Sequence, residues 1–373
     1  MTTTTATETK TTPAAAAKSQ LEAVFNYYSP PTPPGLNDLS ILNGTSPDTV
    51  SRQVPVVDLR ATAPLSDFTH ATHGFQILRQ PLPIDASHAS VHNPSTLTHQ
   101  YYPSIIALLK EQLGARSAIV INSTLRDVPA PGLATFDPKN PRPTTGAGSL
   151  GPFFIAHSDY TPGAARAHLR AMTPDWFAAT GTGDAGTTAP ADQELFFRLR
   201  GEVIAAEDRA AGLGPENDGN GNGGAGETDG RGGHWDWDGK GYDGPRYAMF
   251  SVWRPWETVR RDPLAVLVGG AEADGFPYVP LPRLYGNRPG CVSEYYNENV
   301  LVRPPTPEKG HVWGYLSEQR PDEVLALKFY DSEALRRGDG SIRAMCPHSA
   351  FHTEDMDDEP VRRSCELRVW CIW

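Results

Sequence analysis

The chain has 373 residues, a net charge of −11 and 39% hydrophobic residues, enough length and apolar content for one large domain. The acidic balance and the lack of a Lys/Arg run exclude a basic nucleic-acid face, and no run of about 18 apolar residues offers a membrane span. Glycine and proline each number 35, which favours turns and strands over a helical bundle.

Residues 1–20 are Thr/Ala-rich, with no apolar core segment and no arginine. They read as a disordered tail rather than a secretory signal or a mitochondrial transit peptide. Residues 29–36 (SPPTPPGL) form an extended lead-in, and strands are expected at 53–59 and 74–78. The stretch 101–114 carries apolar groups at helical spacing and ends at Gly114, a residue suited to a left-handed helix stop. A buried strand at 117–124 is followed by a Pro/Gly-rich loop over about 128–151. Helices are expected at 162–180 and 189–211.

Residues 213–244 are rich in Gly, Asn and Asp and cannot bury enough apolar surface to order themselves. This stretch is expected to be a surface insertion within a domain. From Arg246 onward strands and turns alternate, with candidates at 246–253, 263–270, 298–305, 311–316, 323–332, 342–351 and 363–373. The pattern predicts a mainly β fold with flanking helices and a jelly-roll core, in one domain over 21–373. Four cysteines (Cys291, Cys346, Cys365 and Cys371) lie scattered in the last quarter and read as reduced thiols in a cytoplasmic protein.

His157-Ser158-Asp159 follows the apolar run Phe153-Phe154-Ile155. On a strand, residues i and i+2 share a face, so this imidazole and carboxylate can reach one metal. His348 supplies a third ligand from a late segment that reads as a strand. Two histidines and a carboxylate on one face of an octahedron suit iron(II), which keeps open positions for a co-substrate and dioxygen. A His-x-Asp triplet alone is weakly specific, and a second one, His234-Trp235-Asp236, lies in the Gly-rich stretch. His352 is the rival third ligand, and a zinc site using Cys346 and His348 is a further rival, without a recognisable zinc spacing.

Arg362 and Ser364 lie two residues apart in the final strand candidate and so share a face. A guanidinium fork and a hydroxyl suit the distal carboxylate of a dicarboxylate co-substrate, with an ion pair to Glu366 or to the acidic stretch 354–359 as the alternative. Arg254 is a candidate clamp for a substrate carboxylate, against a salt bridge to Glu257 or Asp262. Trp253, Trp313, Tyr315 and Phe351 are candidate pocket walls, against plain core positions.

Ordered blocks then carry a resemblance: AHSDYTPGAARAHLR, FSVWRPWETVRRDPLAV, HVWGYLSEQRPDEVLALKFYDS, and PHSAF followed by RRSCELRV. Here the chain resembles the fungal AsaB-type hydroxylase/desaturase family of iron(II)/2-oxoglutarate oxygenases over roughly residues 115–373. The family pattern Arg-Glu-Ser-Ile-Glu-Val-Arg reads Arg362-Arg363-Ser364-Cys365-Glu366-Leu367-Arg368, with a base where the family has an acid. The resemblance implies a double-stranded β-helix, iron(II), 2-oxoglutarate and dioxygen. It also implies oxidation of an unactivated C–H bond in a small amino acid or amino-acid-derived metabolite, with the aziridine-forming, valine-directed TqaL-type branch as the nearest. Rival classes are a cupin-like metal dioxygenase without 2-oxoglutarate, a non-catalytic jelly-roll binding protein and a zinc hydrolase.

Overall fold

Strand pairing sorts the chain into two sheets. A computed structural model describes residues 21–42, 46–128, 150–174, 190–212, 237–269, 278–285, 295–307 and 310–373. Its strands are β1 (Leu21–Tyr28), β2 (Thr49–Asp58), β3 (Phe75–Arg79), β4 (Ser117–Arg126), β5 (His157–Ser158), β6 (Tyr247–Pro255) and β7 (Leu264–Gly269). They continue with β8 (Tyr278–Tyr285), β9 (Tyr295–Val302), β10 (Val312–Tyr315), β11 (Glu323–Asp331), β12 (His348–Ala350) and β13 (Ser364–Ile372). The larger sheet runs β1-β2-β10-β7-β12-β5-β9-β8 and the smaller β3-β11-β6-β13-β4.

The larger sheet curls almost into a closed roll. Asn26 of β1 bridges Ile155, just ahead of β5, and its carbonyl accepts from the Ala156 amide at 2.8 Å. One set of alternate residues fills the roll: Phe25, Val56, Ala265, Leu267, Val300, Val302, Trp313 and Phe351. Phe25 and Trp313 stack there at 4.5 Å, and Trp313 Nε1 donates to the Tyr27 hydroxyl at 2.8 Å. The opposite set, Leu264 and Val266, faces the smaller sheet and packs with Trp253, Leu325 and Leu327. Period-2 alternation thus gives β7 two buried faces.

Four helices of six or more residues are described: α1 (Tyr102–Leu113), α2 (Pro162–Ala171), α3 (Pro190–Ala210) and α4 (Ser332–Arg337). Helix α1 seals the outer face of the smaller sheet, where Ile105 and Leu109 meet Val120, Phe250, Val252, Leu367 and Val369. It stops at Gly114, whose φ of 71° is left-handed and costs glycine little. Helices α2 and α3 cover the inner face beyond the cleft, with Leu169, Phe196 and Val203 against Met249 and Trp370. No described helix is long and apolar enough to cross a membrane.

The strands expected at 53–59, 74–78, 117–124, 246–253, 263–270, 298–305, 311–316, 323–332 and 363–373 all appear, within a few residues at each end. The segment expected to be a strand over 342–351 pairs only at β12, because Pro347 has no amide to donate. Strands β1 and β8 were not anticipated. β8 carries Pro280 and Pro282, which disguise it as a loop yet are tolerated on the sheet edge it occupies. The expected helix over 162–180 ends at Ala171, where Met172 leaves the helical conformation, and 175–180 lie outside the described residues. The expected tail 1–20, most of the 128–151 loop and the 213–244 insertion, the His234-Trp235-Asp236 triplet and Cys291 lie outside the described residues.

Candidate active site

β5 is only two residues long, and its position comes from its flanks. His157 pairs with Leu301 of β9 on one side and His348 of β12 on the other. Immediately after it the chain must turn into α2. Thr161 caps that helix by accepting the Ala164 amide at 3.2 Å, and Pro162 occupies its first turn. Asp159 sits between these two anchors, its own carbonyl held by Asn299 Nδ2 at 2.7 Å. It therefore lies one residue past the strand rather than on it, and the chain's bend brings its carboxylate back towards His157.

Three ligand atoms, one each from His157, Asp159 and His348, lie within 4.8 Å of one another, and all three residues are buried. His157 Nε2 is 3.5 Å from Asp159 Oδ1, and the two imidazole centroids are 4.4 Å apart. Each ring is fixed from behind: His157 Nδ1 donates to the Ile155 carbonyl at 2.7 Å, and His348 Nδ1 to the Cys346 carbonyl at 3.2 Å. That places the proton on Nδ1 and leaves the Nε2 lone pair free for a metal. Burial, then the neighbouring His348, push the His157 pKa down to about 4, so the ring is neutral at pH 7. Burial alone would raise Asp159, but Arg368 and the two histidines outweigh it and hold the carboxyl well below its usual range.

A cleft between the sheets opens beside these residues. It is lined by His157 and His348 together with Arg126, Phe153, Ser251, Trp253, Leu264, Leu327, Ala350, Arg362 and Glu366. Alternation on β13 points Ser364, Glu366 and Arg368 the same way, while Cys365, Leu367 and Val369 face α1. Arg362 is buried, its guanidinium 5.2 Å over the Trp253 ring, and it donates to the Asp262 carbonyl. Neither ion pair weighed for it forms. Glu366 instead takes Arg126 at 3.0 Å. Arg362 Nε, Ser364 Oγ and Trp253 Nε1 are buried without hydrogen-bond partners. Burial, then Arg126, lower the Arg362 pKa to about 9, still protonated at neutral pH. Unpaired donors around a cation form a receptor for an anion, and leaving them unpaired is costly. The residues present fit a metal held by three donors with a carboxylate-bearing ligand beside it.

Other sequence expectations need correction. Arg254 is one residue from Trp253 and so faces away from the cleft. It pairs opposite Cys365, donates to Gln80 Oε1 at 2.8 Å and lies 5.7 Å over Tyr101. Neither Glu257 nor Asp262 meets it, and it cannot clamp a substrate in this cleft. Trp313, Tyr315 and Phe351 are core inside the larger sheet: Tyr315 and Phe351 pack edge to face at 5.2 Å. Of the four aromatic candidates only Trp253 walls the cleft. His352 is bound by Asp262 at 2.7 Å and Asp357 at 2.9 Å and stands outside the ligand cluster. Cys346 packs in the core, its sulfur 3.7 Å from the Pro347 carbonyl. Sequence reasoning missed Arg126, Glu366 and Arg368. The two β13 residues were legible as alternating positions after Ser364, whereas Arg126 depends on the β4–β13 pairing that places it opposite Ser364.

A family model described as Oxidoreductase/YMDC permease-like domain matches residues 17–183 and 239–372. The gibberellin cluster GA4 desaturase of Gibberella fujikuroi is 28% identical over 380 residues, covering 94% of this chain and 95% of that protein. The hydroxylase/desaturase asaB of Aspergillus flavus is 34% identical over 132 residues, covering 33% of this chain and 54% of that protein. Among solved structures, the iron and alpha-ketoglutarate-dependent endoperoxidase NvfI shares the fold, with a TM-score of 0.57 at 19% identity over 96% of this chain and 99% of that one.

Proposed function

We propose, for a chain that belongs to the Oxidoreductase/YMDC permease-like domain family, an iron(II)- and 2-oxoglutarate-dependent oxidation of a small molecule. The protein is an enzyme of the non-haem iron dioxygenase kind, akin to the hydroxylase/desaturase proteins. The observation that carries the site assignment is the convergence of His157, Asp159 and His348 within 4.8 Å. Iron(II) held there, with 2-oxoglutarate and dioxygen, supplies oxidation of an unactivated C–H bond.

The chain's own residues do the rest. His157 and His348 present imidazoles whose orientation is set by backbone carbonyls. Asp159 presents one oxygen while Arg368 occupies the other. Arg362 and Ser364 bind the far carboxylate of 2-oxoglutarate, which supplies the partner their buried donors lack. Trp253 forms the floor under that guanidinium. The segment 21–373 is one oxygenase domain with a double-stranded β-helix core. The family match leaves out 184–238, which supports an insertion in that region.

For the substrate we propose a small amino acid or a metabolite derived from one, with valine closing to an aziridine carboxylate as the specific case to test. With Arg254 outside the cleft and Arg362 assigned to the co-substrate, the remaining guanidinium lining the cleft is Arg126, which is paired with Glu366 and donates to the Gly151 carbonyl at 2.8 Å, so a substrate carboxylate would have to compete with Glu366 for it. The test is anaerobic addition of iron(II) and 2-oxoglutarate, followed by oxygen and a panel of small amino acids. A weak visible charge-transfer band and substrate-dependent succinate are expected. Absence of both refutes the activity, whereas succinate without amino-acid dependence refutes only the substrate class.

A further inference from the structure

We propose that His88, His92 and Asp127 form a second divalent metal site, suited to zinc(II), on the outer flank of the cleft wall. Among the described residues these three and the buried triad are the two groups whose ligand atoms converge within 4.8 Å. His88 and His92 are four residues apart, at the two ends of a single helical turn (His88–Val91), so their rings lie on one face. The imidazoles stack at 3.9 Å with 23° between planes. Both Nε2 atoms address the same carboxylate oxygen: His88 Nε2 is 3.9 Å from Asp127 Oδ2, and His92 Nε2 contacts it directly.

The carboxylate is the fixed part of this group. Asp127 follows the last residue of β4, and its side chain is only 7% exposed, while that of His88 is 74% exposed. A buried carboxylate aimed at two more accessible imidazoles gives three protein donors and leaves a solvent-facing fourth position. Two imidazoles and a carboxylate in a partly exposed setting match tetrahedral zinc, and copper(II) and nickel(II) also bind such donors. A cation there replaces the direct contact between His92 and Asp127. It ties the His88–Val91 turn to the end of β4, one residue from Arg126 in the cleft.

The experiment is zinc(II) titration of tag-free protein by calorimetry, with cobalt(II) visible spectra as a second readout. The wild type is expected to bind one equivalent more than His88→Ala and one more than Asp127→Asn, and the extra cobalt(II) equivalent should show intense tetrahedral bands. The difference is the measured quantity, so it stands whether or not the buried triad takes zinc. His88 is exposed, so its replacement leaves the fold intact, as circular dichroism will check. Equal stoichiometry and spectra in wild type and His88→Ala overturn the proposal.

Discussion

Arg368 donates to a single oxygen of Asp159, through Nη2 at 2.6 Å and Nε at 3.2 Å, and leaves the other oxygen facing His157. The guanidinium thus decides which carboxylate oxygen would face a metal held by this group and keeps the carboxylate ionised although it is buried. Arg368 is itself braced by Asn122 at 3.4 Å and Glu366 at 3.7 Å. Replacing Arg368 with Gln removes the charge and the fork. Loss of such an outer partner typically weakens metal binding about 10–100-fold. Anaerobic iron(II) titration of Arg368→Gln should show a weakening of that order, and an unchanged affinity would show that Asp159 needs no brace.

Arg362→Met keeps the side-chain volume over Trp253 and removes the cation. Its effect should fall on 2-oxoglutarate: a KM raised about tenfold or more, the scale of one lost charge-assisted hydrogen bond of about 1.5–3 kcal/mol. The KM for the oxidised substrate should stay within about twofold. Ser364→Ala should shift the same parameter in the same direction by less. A change confined to substrate KM would reassign this corner of the cleft.

Much of the site was legible because strand alternation is a strict rule. Once 363–373 reads as a strand, Ser364 must share a face with Glu366 and Arg368, and that is what β13 shows. The same rule misassigned residues where it lacked a reference. Trp253 and Arg254 are adjacent, so at most one could face the cleft, and the sequence did not say which. Trp313 and Tyr315 share a face correctly, but the larger sheet is buried on both faces, so shared apolar character did not tell cleft from roll. β5 was legible as a candidate ligand segment only through His157 and Asp159. Its two-residue length follows from the turn into α2, a tertiary demand that no local pattern records.

Arg254→Met should leave both KM values and kcat within about twofold, because Arg254 lies behind the smaller sheet. Its Nε and Nη1 are buried without partners, and burial lowers its pKa. Exchanging a poorly satisfied buried cation for an apolar group of similar volume is often close to neutral for stability. A selective rise in substrate KM would restore Arg254 to the site.

Trp313→Ala should destabilise the fold by about 3–5 kcal/mol, the usual cost of emptying a buried tryptophan site. Trp313 is fully buried, stacks on Phe25 and donates to Tyr27. Trp313→Phe keeps most of the stacking and should leave kinetics unchanged at temperatures where it is folded. Urea unfolding measures the first effect and steady-state assays the second. Altered substrate preference in the Phe variant would place this residue near the cleft after all.

Stability should fall as the pH drops from about 6.5 towards about 4, through buried histidines that include two outside the candidate ligand cluster. Burial, then Lys328 and Arg246, depress His70 to about 4, and burial depresses His311 to about 4 beside the Tyr27 hydroxyl at 3.3 Å. In the unfolded chain each takes a proton near pH 6.5, so between these values the unfolded state binds more protons and is favoured. His352 works in the opposite sense: although burial lowers it, Asp357 and Asp262 outweigh that and raise it, so its contribution is present below its unfolded pKa and lost as the pH rises through the folded value. With His70, His73, His157 and His311 depressed against His352 raised, the net slope is positive with pH. Urea midpoints at pH 7 and pH 5 on metal-free protein test the sign. Replacing His311 with Gln, which cannot take the proton, should flatten the difference, and an unaltered slope in that variant would show that His311 is already charged in the fold.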